Sequence, residues 1–158
     1  MYRIGFSEDI HPIKEGRELV LGGVKIPSPF GLDGHSDADV VIHSLAEAIL
    51  GALALGDLGT HFPDNDPKYK GISSMLLLEE VVRLMEGEGY KINNVDLQVA
   101  LAKPKLAPYV FSMRESISKA LKTDIKNVSV KAMSFNKVGA IGKGEAIRSQ
   151  CIAMLIKN

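Results

Sequence analysis

The chain has 158 residues, 46% of them hydrophobic, and its 19 basic side chains are balanced by 19 acidic ones. That suits one compact domain over residues 1–158 and leaves no net field to draw it onto nucleic acid or a membrane surface. A single cysteine excludes an intrachain disulfide, and the lack of tryptophan with only 6% aromatics argues against a base-stacking platform.

MYRIGFSEDI has no basic segment followed by an apolar one, so no secretory signal is expected. YRIGF and ELVLGGVKIP read as opening strands joined by a Gly/Lys/Glu turn. Just after the first, Asp9 and His11 stand two positions apart, on the same side of a strand. From Ser36 to about Leu55, Val40, Val41, Leu45, Ala48, Ile49, Ala52 and Leu53 recur at helical steps. Ser36 suits the N-cap, with Asp39 three residues on in a capping-box-like S-x-x-D. This most apolar stretch falls short of the ~20 residues a bilayer span needs and carries His43 and Glu47. A soluble, cytoplasmic protein follows, with no membrane and no nucleic-acid partner.

GDLGTHFPDNDPKYKG is dense in turn residues and reads as a loop; SSMLLLEEVVRLMEGEG follows as a second helix. NNVDLQVALA alternates like a strand that KPKLAP ends, and YVFSMRESISKALK reads as a third helix. VSVKAMSF and EAIRSQCIAMLIKN read as strands around the glycine-rich VGAIGKGE, with Cys151 a small buried thiol. The order predicts an α+β fold, a single mixed sheet with helices packed on one face. Val128, Val130, Ile152 and Met154 suggest that the other face is not wholly polar, and self-association is the expected cover.

Asp9, His11 and His43 together form a carboxylate–bis-imidazole set suited to a catalytic zinc with its fourth position open. Spacing alone does not choose Asp9 over Asp37 or Asp39, and Asp39 and His43, one helical turn apart, suit a shared ligand. His35 sits at the helix mouth, where Ser36 and free backbone N–H groups suit an anion; a plain cap and a structural histidine fit equally. Asp57, Asp64 and Asp66 suit a hard divalent cation or a solvated turn, and His61 has no evident partner. KPKLAP offers Lys105 and backbone groups to a nucleotide, or merely ends its strand. KAMSFNKVGAIGKGE joins Lys131, Ser134, Lys137 and Lys143 to three glycines; it matches no standard phosphate-loop spacing, yet its donors suit an oligophosphate.

In this order, RIGFSEDIH, LGGVKIP, GLDGHSDADVVIH, LGALALGDLGTHFPDNDPKYKG, NNVDLQV, KPKLAPY, VSVKA and GKGE resemble the 2-C-methyl-D-erythritol 2,4-cyclodiphosphate synthase family of the non-mevalonate isoprenoid pathway. The likeness covers essentially the whole chain. It implies that Asp9, His11 and His43 bind one Zn²⁺ per subunit, Asp9 and His11 also meeting the substrate. It further implies that His35 and Ser36 hold a substrate phosphate, with His35 also stabilising the transition state. Asp57 and Gly59 would meet the methylerythritol hydroxyls, and Phe62, Pro63, Asp64, Asn65 and Asp66 would form a mobile substrate segment. Leu101, Ala102, Lys103, Pro104, Lys105, Leu106 and Ala107 correspond to the cytidine pocket. Met133, Ser134, Phe135, Asn136 and Lys143 fall in the segment that meets the phosphates, Ser134 in a catalytic role.

The implied reaction is an intramolecular phosphoryl transfer closing a cyclic diphosphate and expelling CMP. Zn²⁺ and a Mg²⁺ or Mn²⁺ bridging the diphosphate would assist it. The implied assembly is a homotrimer with active sites between subunits, its interior covering the free sheet face. Several residues depart from the family pattern. Glu47 replaces an aspartate, Ser134 a threonine, Asn136 a cation-binding glutamate, Ala140 an aromatic, Lys143 an arginine, and Glu8 an axial aromatic. Altered kinetics rather than lost activity is the expectation. A zinc-dependent phosphoesterase and a non-catalytic trimeric nucleotide- or isoprenoid-binding protein are the competing readings.

Overall fold

The alternation that starts at YRIGF runs well past it: β1 extends over Tyr2–Glu15 in the computed structural model, which describes residues 1–158. β2 (Leu19–Leu21) and β3 (Val24–Ile26) form a separate two-stranded hairpin instead of extending the main sheet. β4 (Phe30–Leu32), too short to stand out in the sequence, pairs with the end of β1. There follow α1 (Val40–Ala52), a single turn α2 (Leu58–His61), α3 (Ser74–Gly87), β5 (Tyr90–Ala100), α4 (Val110–Leu121) and β6 (Val128–Met133). The short α5 (Gly139–Gly142) and β7 (Ala146–Lys157) close the chain.

The main sheet has the order β4-β1-β7-β5-β6. It is mixed, because β5 and β6 are parallel while the other pairs are antiparallel. Register aligns Ser7 with Cys151, Cys151 with Leu97 and Leu97 with Val130, one row on the helix-covered face. Val128 and Val130 are therefore core residues and not part of the free face, as their sequence had suggested. Ile152 and Met154 do lie on that free face, where Ile4, Phe6 and Ile10 stay exposed.

α1 begins four residues later than its apolar pattern predicted. Ala38 has a left-handed backbone (φ +58°), which a helix cannot continue through. Asp39, not Ser36, is the N-cap, accepting the N–H of Ile42 at 3.1 Å. One cluster of 35 buried residues joins the β2–β3 hairpin to α1, α3, α4 and the sheet. It gives α1 a rigid seat across β1 and β7.

Candidate active site

Pleating turns Asp9 and His11 toward α1, and His43 comes down from the first turns of that helix to meet them. A hydrogen bond of 2.8 Å between Ser44 and Ser149, the β7 residue paired with Asp9, fixes the helix over that point. Asp9 Oδ2 lies 2.9 Å from His11 Nε2 and 3.3 Å from His43 Nδ1. One donor atom from each residue falls within 4.8 Å of the others.

The donor chemistry fits a cation. His11 Nδ1 lies 2.7 Å from the Asp33 carbonyl, which can only accept. A neutral His11 therefore carries its hydrogen on Nδ1 and turns the Nε2 lone pair toward the Asp9 carboxylate. Two acceptors so close require a positive charge between them, either a proton or a metal ion. Burial works to raise the Asp9 carboxyl, but its hydrogen bond with His11 and the neighbouring His43 imidazole outweigh that and hold it at about 2. The same hydrogen bond lifts His11 above the usual imidazole range, against the burial that lowers it.

The structure also separates Asp9 from its rivals. Asp39 is wholly buried and accepts the N–H groups of Gly22 (2.9 Å) and Gly23 (2.7 Å), stapling the β2–β3 turn to α1. Its expected sharing of a ligand with His43 is not seen: the backbone break at Ala38 makes it a cap, and burial pushes its carboxyl up. Asp37 faces α3, accepting the Ser74 backbone N–H at 2.9 Å. Neither joins the donor set.

Above the set lies a cavity of about 320 Å³ lined by Asp9, His11, His35, Ser36, His43, Glu47, Asp57, Leu58, Gly59, Phe62, Asp64, Tyr69, Ile72 and Leu77. Arg17 donates to the carbonyls of Gly34 and Ser36, both at 2.8 Å, bracketing His35 at the cavity mouth. Backbone bonds from Gly71 to His35 (3.0 Å) and from Asp37 to Ile72 (3.3 Å) tie the end of the 57–73 loop to the same segment. The loop acids do not converge. Asp57 caps α2 through Thr60, Asp66 caps the Pro67–Tyr69 turn through Lys68, and only Asp57 and Asp64 line the cavity. His61, without a partner in the sequence reading, donates to the Leu55 carbonyl at 2.8 Å. Burial raises the Glu47 carboxyl, and the nearby Asp57 and Asp9 raise it further.

A second cleft of about 500 Å³ gathers Ala102, Lys103, Ser134, Asn136, Lys137 and Lys143. Phe135, Asn136 and Lys137 follow one another in left-handed conformation, and the Arg148 guanidinium lies 5.1 Å from the Phe135 ring centre. Lys131 does not join them: it faces the free side of the sheet and pairs with Asp96 at 2.8 Å. Leu101 and Leu106 are core residues, so a ligand beside them would meet backbone. Pro63, Asn65, Asp66, Pro104, Lys105, Ala107, Met133 and Phe135 line neither cleft. Arg17, Asp33 and Ser74 were missed as site residues, because their contacts span 17 to 31 positions and leave no local spacing to read.

The chain is similar throughout its length to known proteins. It is 56% identical to the 2-C-methyl-D-erythritol 2,4-cyclodiphosphate synthase of Brachyspira hyodysenteriae, covering 98% of each chain. Among solved structures it superposes on the bifunctional IspDF of Campylobacter jejuni with a TM-score of 0.96 and 37% identity, spanning 100% of this chain and 43% of that one. It also superposes on the CDP complex of IspF from Plasmodium falciparum with a TM-score of 0.88 and 37% identity, over 99% of this chain and 97% of the other. With the family model matching residues 2–156, the chain belongs to the YgbB family.

Proposed function

We propose that the protein converts 4-diphosphocytidyl-2-C-methyl-D-erythritol 2-phosphate to 2-C-methyl-D-erythritol 2,4-cyclodiphosphate and CMP, as a phosphorus–oxygen lyase of cytoplasmic isoprenoid precursor synthesis. The observation that carries the reading is the Asp9–His11–His43 donor set on the floor of a polar cavity, in a chain this close to a relative of that name. An oxygen of the 2-phosphate attacks the β-phosphorus. The bond from that phosphorus to the oxygen it shares with the α-phosphate breaks, and CMP leaves with the electron pair. The substrate supplies its own nucleophile, so the chain's residues act by positioning and charge neutralisation.

Asp9, His11 and His43 would hold one Zn²⁺, which together with a Mg²⁺ or Mn²⁺ would supply Lewis acidity to the phosphate oxygens. Ser36 Oγ accepts the Ala38 N–H at 3.2 Å and lies 3.1 Å from His43 Nε2, and its freely rotating hydroxyl can turn to donate to a phosphate oxygen. His35, exposed between the two carbonyls that Arg17 grips, reaches the same charge as it grows. Asp57 and Gly59, which line the cavity with Phe62 and Asp64, would meet the hydroxyls, and the 62–66 segment would cover them. Lys103, Ser134 and Lys143 would receive the cytidine diphosphate end in the second cleft, where Asn136 would offer the second cation a neutral amide oxygen.

The two clefts share no lining residue, and Ile4, Phe6, Ile10 and Ile152 leave exposed apolar side chains on the free sheet face. Both observations support a homotrimer in which the cleft of one subunit faces the cavity of the next. The test is direct: purified protein with Zn²⁺ and excess Mg²⁺ is given the authentic substrate. Equimolar CMP and a cyclic diphosphate in the ³¹P spectrum are expected. A linear phosphate product, or no CMP, overturns the reading.

A further inference from the structure

We infer that Ser74 and Asp37 are positioning residues for His43, selecting the imidazole tautomer that leaves Nδ1 free to bind a metal ion. The inference rests on the metal reading proposed above. Ser74, the first residue of α3, has no exposed surface, and its Oγ lies 2.8 Å from His43 Nε2. Its hydroxyl donates to Asp37 Oδ1, the same oxygen that accepts the Asp39 N–H at 3.1 Å, while Asp37 Oδ2 accepts the Ser74 N–H at 2.9 Å. A carboxylate so surrounded by donors has no hydrogen to give, and a hydroxyl has only one. Ser74 Oγ therefore faces His43 as an acceptor, and the hydrogen of the ring must sit on Nε2.

The consequence falls on the far side of the ring. With Nε2 protonated, Nδ1 turns a lone pair toward Asp9 Oδ2, 3.3 Å away and beside His11. The opposite tautomer would put an Nε2 lone pair against an oxygen whose proton is already taken. Ser36 Oγ, 3.1 Å from Nε2, does not impose this choice, because no carboxylate fixes the direction of its hydroxyl. The relay runs from Asp37 through Ser74 to His43, and outer partners of this kind typically change metal affinity by about 10- to 100-fold.

The experiment compares Zn²⁺ affinity, by competition with a chromogenic chelator, in the wild-type chain, Ser74→Ala and Ser73→Ala. Ser73 is the N-cap of α3, accepting the Met75 N–H, and lies outside the relay, so S73A loosens the same helix end without touching His43. S74A is expected to bind Zn²⁺ about 10- to 100-fold more weakly and S73A within about threefold of wild type. Long-range ¹H–¹⁵N spectra of the metal-free protein at pH 8 are expected to show His43 with its hydrogen on Nε2 in wild type and a mixture of tautomers in S74A. S74A affinity within threefold of wild type, an equal loss in S73A, or an unchanged tautomer in S74A overturns the relay alone. Failure of the wild-type chain to take up Zn²⁺ overturns the metal reading and the relay with it.

Discussion

Gly5 of β1 lies directly beneath Ala48 of α1: a Cβ built on Gly5 would stand 1.8 Å from the Ala48 carbonyl oxygen and 2.7 Å from the Ala52 nitrogen. Backbone meets backbone there, and the helix is set down on the strand as closely as the chain allows. His43, on the same helix, thereby reaches Asp9 on the same strand.

Gly5→Ala is expected to cost about 3 kcal/mol in urea unfolding, because the obstructing atoms are main chain and cannot rotate away. It should also weaken Zn²⁺ binding, since lifting α1 withdraws His43 from Asp9. Gly51→Ala, on the solvent side of the same helix with nothing within 4 Å, is the matched control. It should leave metal binding unchanged and add up to about 1 kcal/mol through better helix propensity.

Metal removal should lower stability without unfolding the chain. The donor set sits at the edge of a cavity, and the 35-residue core does not include it. Ligand linkage gives about 4 kcal/mol at a thousandfold excess of Zn²⁺ over Kd, roughly 10 °C in Tm for a domain of this size. Calorimetry with and without chelator measures the difference. His43→Ala should abolish the Zn²⁺-dependent shift while the metal-free transition stays cooperative.

The sequence carried the donor set but not what holds it. Asp9 and His11 were legible as a pair because strand geometry is periodic over two residues, and His43 because the helix around it is strongly patterned. The start of α1 was misread because Ser36 and Asp39 make a plausible capping box, whereas the left-handed turn at Ala38 carries no sequence mark. The roles of Asp33, Arg17 and Ser74 depend on loop paths, which only the packed core decides. Val130 was assigned to the wrong face for a similar reason: its side follows from parallel pairing with Leu97, a contact 33 positions away.

The metal-free protein should lose stability as pH rises above neutrality. Asp9, held at about 2, contributes stability that is complete above its unfolded value near ~3.9 and lost only as pH falls toward 2. His11, raised by the same hydrogen bond, contributes most below its unfolded value near ~6.5 and loses that contribution as pH climbs through the higher folded one. The pair is therefore strongest between about pH 4 and 6.5. Urea midpoints of chelator-treated protein from pH 5 to 9 should decline across the upper half of that range. Asp9→Asn should flatten the decline, since the amide no longer favours the imidazolium.

Asn136→Glu should trade stability for affinity toward the second cation. Asn136 has φ +48° and ψ 46°, a left-handed backbone that asparagine adopts more readily than glutamate. The substitution should cost about 1 kcal/mol, read as a fall of a few degrees in Tm. The residue lines the second cleft beside Ser134, Lys103 and Lys143, and a carboxylate there adds a negative hard-oxygen ligand where the amide offers a neutral one. The Mg²⁺ concentration giving half-maximal CMP release should fall about tenfold, with Zn²⁺ affinity unchanged because residue 136 lines the second cleft and the Asp9–His11–His43 set lies in the other cavity. A variant that is destabilised yet keeps the wild-type Mg²⁺ dependence would remove residue 136 from the cation's surroundings. The charge on the diphosphate would then be met by the lysines of the same cleft.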